Sequence, residues 1–326
     1  MKEYGGYLEL ESYYGKEYHE NAIALNTARN CLRLIIRKYN IKEMLLPRYL
    51  CSSIVDVCLD EKVKIYFYSI DHNLKPKLDN LLELSNNMYL YIINYYGQLS
   101  NKYIVNLKTK FKNIIVDNVQ DFFRKPVDGV DTIYTCRKYF GVTDGAYLYT
   151  SKKIHTADLE KDCSYKRYIY LLGRFEKNGN EFFHYFVNNE KNLEKENIKL
   201  MSKLTHNLMK SINYNKIIKK RKKNFEILDY YLKSFNEITI NNYAGLFLYP
   251  LLKENGKQIK ERLIQERIYV PTLWPGVENI TYENSFERKL MSDLILLPID
   301  QRYDEVDMHN MLSLLNNILK GCRKFL

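Results

Sequence analysis

The sequence predicts an α/β protein built around a largely parallel sheet, and three observations carry that expectation. From residue 22 to residue 151, short apolar or β-branched runs alternate with helix-like segments, the pattern of strands joined through helical crossovers. Several of the runs, among them Tyr89-Leu-Tyr-Ile-Ile93 and Ile114-Ile-Val116, are continuously apolar, as strands covered on both faces must be. The chain of 326 residues is also long enough to bury a large core, and a length prior of ~150 residues per domain suggests two parts.

Taken in order, the predicted strands are Ala22 to Leu25, Met44 to Leu50, Lys64 to Ser69, Tyr89 to Tyr95, Asn113 to Val119, Thr132 to Cys136 and Ala146 to Thr150. Residues 159 to 235 are charged and rich in Leu and Tyr, with Gly173 and Gly179 as the breakers, and they read as helical throughout. Beyond them, strands are expected over Tyr243 to Leu252, Ile268 to Leu273 and Leu294 to Leu297, with an amphipathic helix over Lys257 to Arg267 and a final helix over about Glu305 to Leu319. The expected organisation is a large α/β domain over residues 1 to 214, ending in a helical connector from about residue 159, and a small α+β domain over residues 215 to 326.

Composition narrows the function classes. The net charge is +11, which in a clustered form would favour nucleic acid or an anionic membrane. The chain is heavy in Lys, Asn, Ile and Tyr, with 30 Tyr against one Trp. These residues share A- and T-rich codons, so coding bias accounts for much of the excess lysine. The dense run Lys216-Ile-Ile-Lys-Lys-Arg-Lys-Lys223 leads into the apolar periodicity of Phe225, Ile227, Leu228, Tyr231 and Leu232, and reads as the solvated start of a long helix. The six cysteines form no C-x-x-C pair, so no zinc or redox motif is visible. No stretch reaches ~18 uninterrupted apolar residues. The expectation is a cytoplasmic protein with no nucleic-acid partner, no membrane and no metal.

Three segments carry chemistry. Ala24-Leu-Asn-Thr-Ala-Arg-Asn-Cys-Leu-Arg33 reads as strand, sharp turn and helix. Free N–H groups at such a helix start attract anions, phosphate above all, and Thr27, Asn30 and Arg29 can add donors, although a Thr N-cap alone gives the same pattern. Ile114-Ile-Val-Asp-Asn-Val-Gln-Asp-Phe-Phe123 puts Asp117 at the carboxyl end of a buried strand, where ligands of open α/β sheets collect, with Gln120 three residues on. In Asp131 to Tyr149, Lys138 follows a buried strand and precedes the turn residues Gly141, Asp144 and Gly145. A lysine desolvated there beside Arg137 would have a lowered pKa and a nucleophilic amine.

The order and spacing of these segments matter more than any one of them. A phosphate-type turn, an Asp-x-x-Gln about 90 residues later and a Thr-x-x-Lys about 20 residues beyond resemble the layout of the DegT/StrS-type sugar aminotransferases. These are fold-type I enzymes of the aspartate aminotransferase superfamily that use pyridoxal 5′-phosphate (PLP). Leu25-Asn-Thr-Ala-Arg-Asn-Cys-Leu32 resembles the family's phosphate turn, Leu46-Pro47 its Val-Pro, Asn94-Tyr-Tyr-Gly97 its aromatic-Gly strand end, and Val116-Asp-Asn-Val-Gln120 its Asp-x-Ala-Gln. The segments Arg262 to Pro271, Leu273-Trp-Pro275 and Leu297-Pro-Ile-Asp-Gln-Arg-Tyr303 resemble its small domain.

The resemblance implies a fold-type I PLP-transferase with a mostly parallel seven-stranded sheet. In it Lys138 would hold the cofactor as a Schiff base and then move the substrate proton. Asp117 would pair with the pyridine nitrogen, Gln120 would contact the ring or its 3-oxygen, and Thr27, Ala28 and Arg29 would hold the phosphate with help from Thr135. Cys51 occupies the family's ring-stacking position, so Tyr49 is the nearest aromatic substitute, and Ala28 in place of the family's Gly requires a turn built without positive φ. The implied reaction converts a keto group of an activated, nucleotide-linked sugar to an amine, with a donor such as glutamate, in a homodimer whose sites lie at the interface. Two other readings stay open at this point: a cofactor-less binding or regulatory relative, and a PLP-dependent sugar-modifying enzyme of another reaction type.

Overall fold

The computed structural model describes residues 4–78, 87–241 and 247–322. Its principal sheet has seven strands, β1 (Ile23–Leu25), β2 (Glu43–Pro47), β3 (Lys64–Tyr68), β4 (Tyr89–Ile93), β5 (Ile114–Asp117), β6 (Asp131–Thr135) and β7 (Ala146–Tyr149), in the spatial order β1-β7-β6-β5-β4-β2-β3. The five strands from β6 through β3 are mutually parallel. β7 is antiparallel to both β6 and β1, so β1 points the same way as β6. Each of the seven runs expected from the sequence holds a strand, most of them trimmed at the carboxyl end, with β2 and β6 beginning one residue earlier than expected.

The trimming has a local cause at each site. β4 stops at Ile93 because Tyr95–Gly97 turns as a short 3₁₀ segment, with Tyr96 at φ 49° and Gly97 at φ 73°. β2 stops at Pro47, whose ring removes a ladder donor.

Ten α-helices lie among the described residues: α1 (Ala28–Tyr39), α2 (Ser52–Asp60), α3 (Asn101–Lys110), α4 (Ile169–Glu176), α5 (Phe183–Glu194), α6 (Lys203–Lys210), α7 (Tyr214–Leu232), α8 (Gly256–Gln265), α9 (Phe286–Asp293) and α10 (Glu305–Cys322). Side-chain N-caps start several of them, with Thr27, Ser100, Ser202, Asn213 and Ser285 each accepting an N–H of the first turn. A two-stranded antiparallel pair, β8 (Tyr249–Leu252) and β9 (Leu294–Leu297), packs with α7, α8 and α9, and α10 packs on α7 and α8. Its buried residues join the same hydrophobic core as β2, β4 and β5.

Three expectations are corrected. Residues 159–235 are not one helical tract. Residues 159–164 are irregular, with Lys161 bridging to Leu200, and α4 to α7 are separated by turns; Gly173 lies within α4, where a side chain would collide with the Phe182 ring at 2.2 Å. Residues 268–273 form no strand, since the chain leaves α8 through Arg267 at φ 63° and runs irregularly to Trp274 at φ 60°. The strand expected from Tyr243 is observed only as Tyr249–Leu252; residues 243–246 lie outside the described residues. No helix among the described residues is long and apolar enough to cross a membrane.

Candidate active site

Because β1, β2, β4, β5 and β6 run in one direction, their carboxyl ends line one edge of the sheet, and every segment singled out in the sequence leaves the sheet there. The α1 turn comes first. Thr27 Oγ1 accepts the Asn30 N–H at 3.1 Å, and Asn30 spends its amide on Asn26 Oδ1 (3.0 Å) and the Asn197 carbonyl (2.8 Å). Asn30 is therefore a brace for the turn. Ala28 is absent from the residues with positive φ, so the turn needs no glycine and leaves the first N–H groups of α1 without intrahelical partners. Gly145, opposite, does need to be glycine: its φ is 112° and an added Cβ would lie 3.1 Å from Cys136 Sγ. Its N–H bonds the Asn26 carbonyl at 2.7 Å, tying the α1 turn to the start of β7.

Asp117 ends β5 and is 4% exposed. Tyr91 O–H donates to its Oδ2 at 2.7 Å, and the Val119 N–H to its Oδ1 at 2.9 Å. Burial raises its pKa against the opposing charge of Lys138 and these two hydrogen bonds. Lys138 sits in the turn after β6 with its amine 5.4 Å from the Phe247 ring centroid. Burial lowers its pKa, while the charge of Asp117 pulls the other way. The two buried groups thus act on each other's charge, and burial presses each toward its neutral form.

Around this pair are donors without acceptors. Arg29 Nη1, Arg137 Nε and Gln120 Nε2 are buried with no hydrogen-bond partner. Gln120 is fully buried, and its Oε1 is committed to the Tyr96 N–H at 3.1 Å. Burial and the charge of Arg137 both destabilise the Arg29 guanidinium, and Arg137 is paired with Glu190 of α5. Orphaned buried donors carry a real desolvation cost. An anion in front of the α1 N-terminus and an oxygen acceptor near Gln120 would remove it, and PLP offers both a phosphate and a ring oxygen. The residues present fit that cofactor.

Thr135 is buried at the end of β6, three residues before Lys138. Tyr49 lies back in the wall, its ring 4.7 Å from Trp274 and 5.5 Å from Tyr95, and its carbonyl accepts the Tyr95 hydroxyl. Cys51, the N-cap of α2, is closer to the charges of the site, interacting with both Arg29 and Lys138. His19 stands apart in an aromatic cluster with Phe122, Tyr134 and Tyr149. Its Nε2 is 2.8 Å from the Phe122 carbonyl, and burial pushes its pKa down to about 4. Arg302 forms a two-pronged pair with Asp300 at 2.7 and 2.8 Å.

Sequence reasoning missed Tyr91, Glu190 and Phe247. Tyr91 alone had a readable signal. Ile93 pairs with Asp117 and Tyr91 with Ile115, so the two-residue period of adjacent strands puts Tyr91 and Asp117 on one face.

No protein-family model and no curated protein matches the chain in sequence. Solved structures do match in shape. A DegT/DnrJ/EryC1/StrS aminotransferase from Brucella abortus superposes with a TM-score of 0.62 at 14% identity, covering 91% of this chain and 85% of that one. The fold is that of the DegT/StrS-type sugar aminotransferases. PseC of Helicobacter pylori, an aminotransferase involved in the biosynthesis of pseudoaminic acid, gives 0.64 at 12% identity, covering 92% and 87%. NtdA of Bacillus subtilis, crystallised with the cofactor PMP, gives 0.66 at 12% identity, covering 95% and 78%. The mostly parallel seven-stranded sheet with flanking helices is the fold-type I arrangement expected from the sequence.

Proposed function

We propose that this chain is a PLP-dependent aminotransferase of the DegT/StrS type that converts a keto group of an activated, nucleotide-linked sugar to an amine, with an amino acid such as glutamate as donor. The observation that supports the reading is that buried Lys138 and buried Asp117 act on each other's charge, with Arg29 Nη1, beside the start of α1, buried and without a hydrogen-bond partner. Bound PLP supplies an electron sink that lets a proton move between substrate carbon and cofactor carbon.

The chain's own residues would prepare that step. The first N–H groups of α1, Thr27, Ala28, Arg29 and Thr135 would hold the phosphate end, and Asp117, fixed by Tyr91, would face the ring nitrogen. Gln120 Nε2 would donate to a ring oxygen. Cys51 Sγ and the Tyr49 ring behind it would close the ring face. Lys138 Nζ, whose charged form burial disfavours, would attach the cofactor and then accept and return the substrate proton.

The chain would act as a homodimer. The family resemblance supports this, and a second copy would complete the site. A division into a large and a small domain would fall near residue 215, at the start of α7, and the free state of Cys31, Cys51, Cys58, Cys136 and Cys163 supports a reducing compartment such as the cytoplasm.

The test is direct. Purified protein mixed with PLP should absorb in the visible range, and borohydride should fix the label on Lys138. The PMP-loaded protein should then return to the PLP form with one keto-sugar nucleotide of a panel. Absence of both the absorbance and the label would sink the reading.

A further inference from the structure

The turn that carries Lys138 is held from behind by two side chains that are far away in sequence. Within the turn, the Tyr139 and Phe140 N–H groups both bond the Cys136 carbonyl, at 2.9 and 3.0 Å. The Tyr139 carbonyl, next to Lys138, accepts Gln301 Nε2 at 2.7 Å and Arg221 Nη2 at 3.4 Å. Arg221 Nε donates to Gln301 Oε1 at 3.0 Å, so amide and guanidinium close on each other as well as on the turn. The guanidinium carbon stands 4.7 Å over the Tyr139 ring. Arg221 Nη1 reaches the Phe247 carbonyl at 3.1 Å, and the Phe247 ring is the one that faces the Lys138 amine.

Arg221 therefore grips both the backbone beside the lysine and the aromatic wall opposite its amine. It does so while 1% exposed, inside a run whose Lys216, Lys219, Lys222 and Lys223 are exposed. Burying a guanidinium costs several kcal/mol, and burial lowers its pKa. A planar fork can serve three acceptors at fixed angles where an ammonium cannot. Helix packing alone would be met by an apolar residue at this point of α7.

We infer that Arg221 and Gln301 are positioning residues for Lys138, a clasp through which α7 and the segment after β9 set the place and solvation of the reactive amine. The inference rests on the proposed role of Lys138. It adds that the C-terminal elements take part in the chemistry without touching substrate, because displacement of Gln301 or α7 releases the turn.

The experiment uses the full chain with Arg221→Met and Gln301→Met. In the cofactor-free proteins, reductive methylation of Lys138 is followed by mass spectrometry across pH, with the exposed Lys152 and Lys166 as internal references. Release of the clasp should move the Lys138 labelling midpoint up by about one pH unit toward that of an ordinary lysine, with the references unmoved. In the presence of PLP, borohydride-fixed label on Lys138 should accumulate about tenfold more slowly, the effect of losing ~1.4 kcal/mol of preorganisation. Arg221→Lys should behave like Arg221→Met.

Folded variants with the wild-type midpoint and capture rate would overturn the clasp. If Arg221→Met does not fold, Gln301→Met still decides, since it removes only the bonds at 2.7 and 3.0 Å. Wild-type protein that never fixes PLP would refute the cofactor instead, and the labelling profile would still judge the clasp.

Discussion

Asp117 and Asp121 stand four residues apart around one turn, both buried and both raised in pKa by burial, yet their surroundings differ in kind. Asp121 is answered on the spot. Arg124 Nε lies 2.5 Å from its Oδ2 and Asn94 Nδ2 3.3 Å. The network closes through Asn94 on Asn118 at 2.9 Å, Asn118 on Tyr134 at 3.2 Å, and Tyr134 on the Arg124 carbonyl at 2.8 Å. Asp117 receives only Tyr91 O–H and the Val119 N–H. Its countercharge is Lys138, and Gln120 Nε2, three residues on, and Arg29 Nη1 are buried without partners. A buried charge in a closed network holds the fold together, whereas one set among open donors marks a place where a ligand completes the bonding.

The contrast can be broken or sharpened by mutation. The largest effect should come from Lys138→Ala, which should abolish the fixed PLP label and lower transamination by at least about 10³-fold while the protein stays folded, read by label mapping and far-UV circular dichroism. Asp117→Asn should lower activity by about 10²-fold or more and leave the melting temperature unchanged or raised, since site charges are held at a cost to stability. A destabilisation equal to that of Asp121→Asn would erase the distinction between the two carboxylates. Arg29→Ala should weaken PLP binding by about 10- to 100-fold, the worth of one charged hydrogen bond, in an equilibrium titration.

Asp121→Asn should act in the opposite sense, sparing activity and lowering stability by about 1–3 kcal/mol as the hydrogen bonds from Arg124 and Asn94 to the carboxyl are disturbed. Its pH dependence has a definite sign. Burial lifts the Asp121 carboxyl from 3.8 to about 6, so the folded state holds its proton longer than the unfolded chain. The stability that this proton provides is complete below about pH 4 and is lost as pH rises through about 6. Asparagine does not titrate, so the stability gap between wild type and Asp121→Asn should narrow from pH 4 to pH 6 in urea titrations. A gap that widens over that range would show the carboxylate to be favoured in the fold.

Much of this was legible in the chain because the signals are local. A buried parallel strand is a continuous apolar run, so the seven strands could be read within a few residues. Thr27 as N-cap, Asp117 at a strand end and Lys138 after one are properties of their own segments. The connector between residues 159 and 235 was misjudged because its breaks come from turns and from bridges such as Lys161 to Leu200, and charged, leucine-bearing composition does not reveal those. Residues 268–273 have strand-like composition but no partner strand, and without a partner the pattern comes to nothing.

By itself the sequence determined the class of fold, the order of its strands along the chain and the segments that meet at the sheet edge, since apolar periodicity and caps act over a few residues. Tertiary structure alone decided the rest. It paired Tyr91 with Asp117, set Phe247 over the Lys138 amine and sent Tyr49 into the wall. It also buried Arg221, the one member of a solvated basic run that turns inward, against a carbonyl 82 residues away. Each of these is a contact between remote parts of the chain. Strand register and helix docking create such contacts, and no local pattern encodes them.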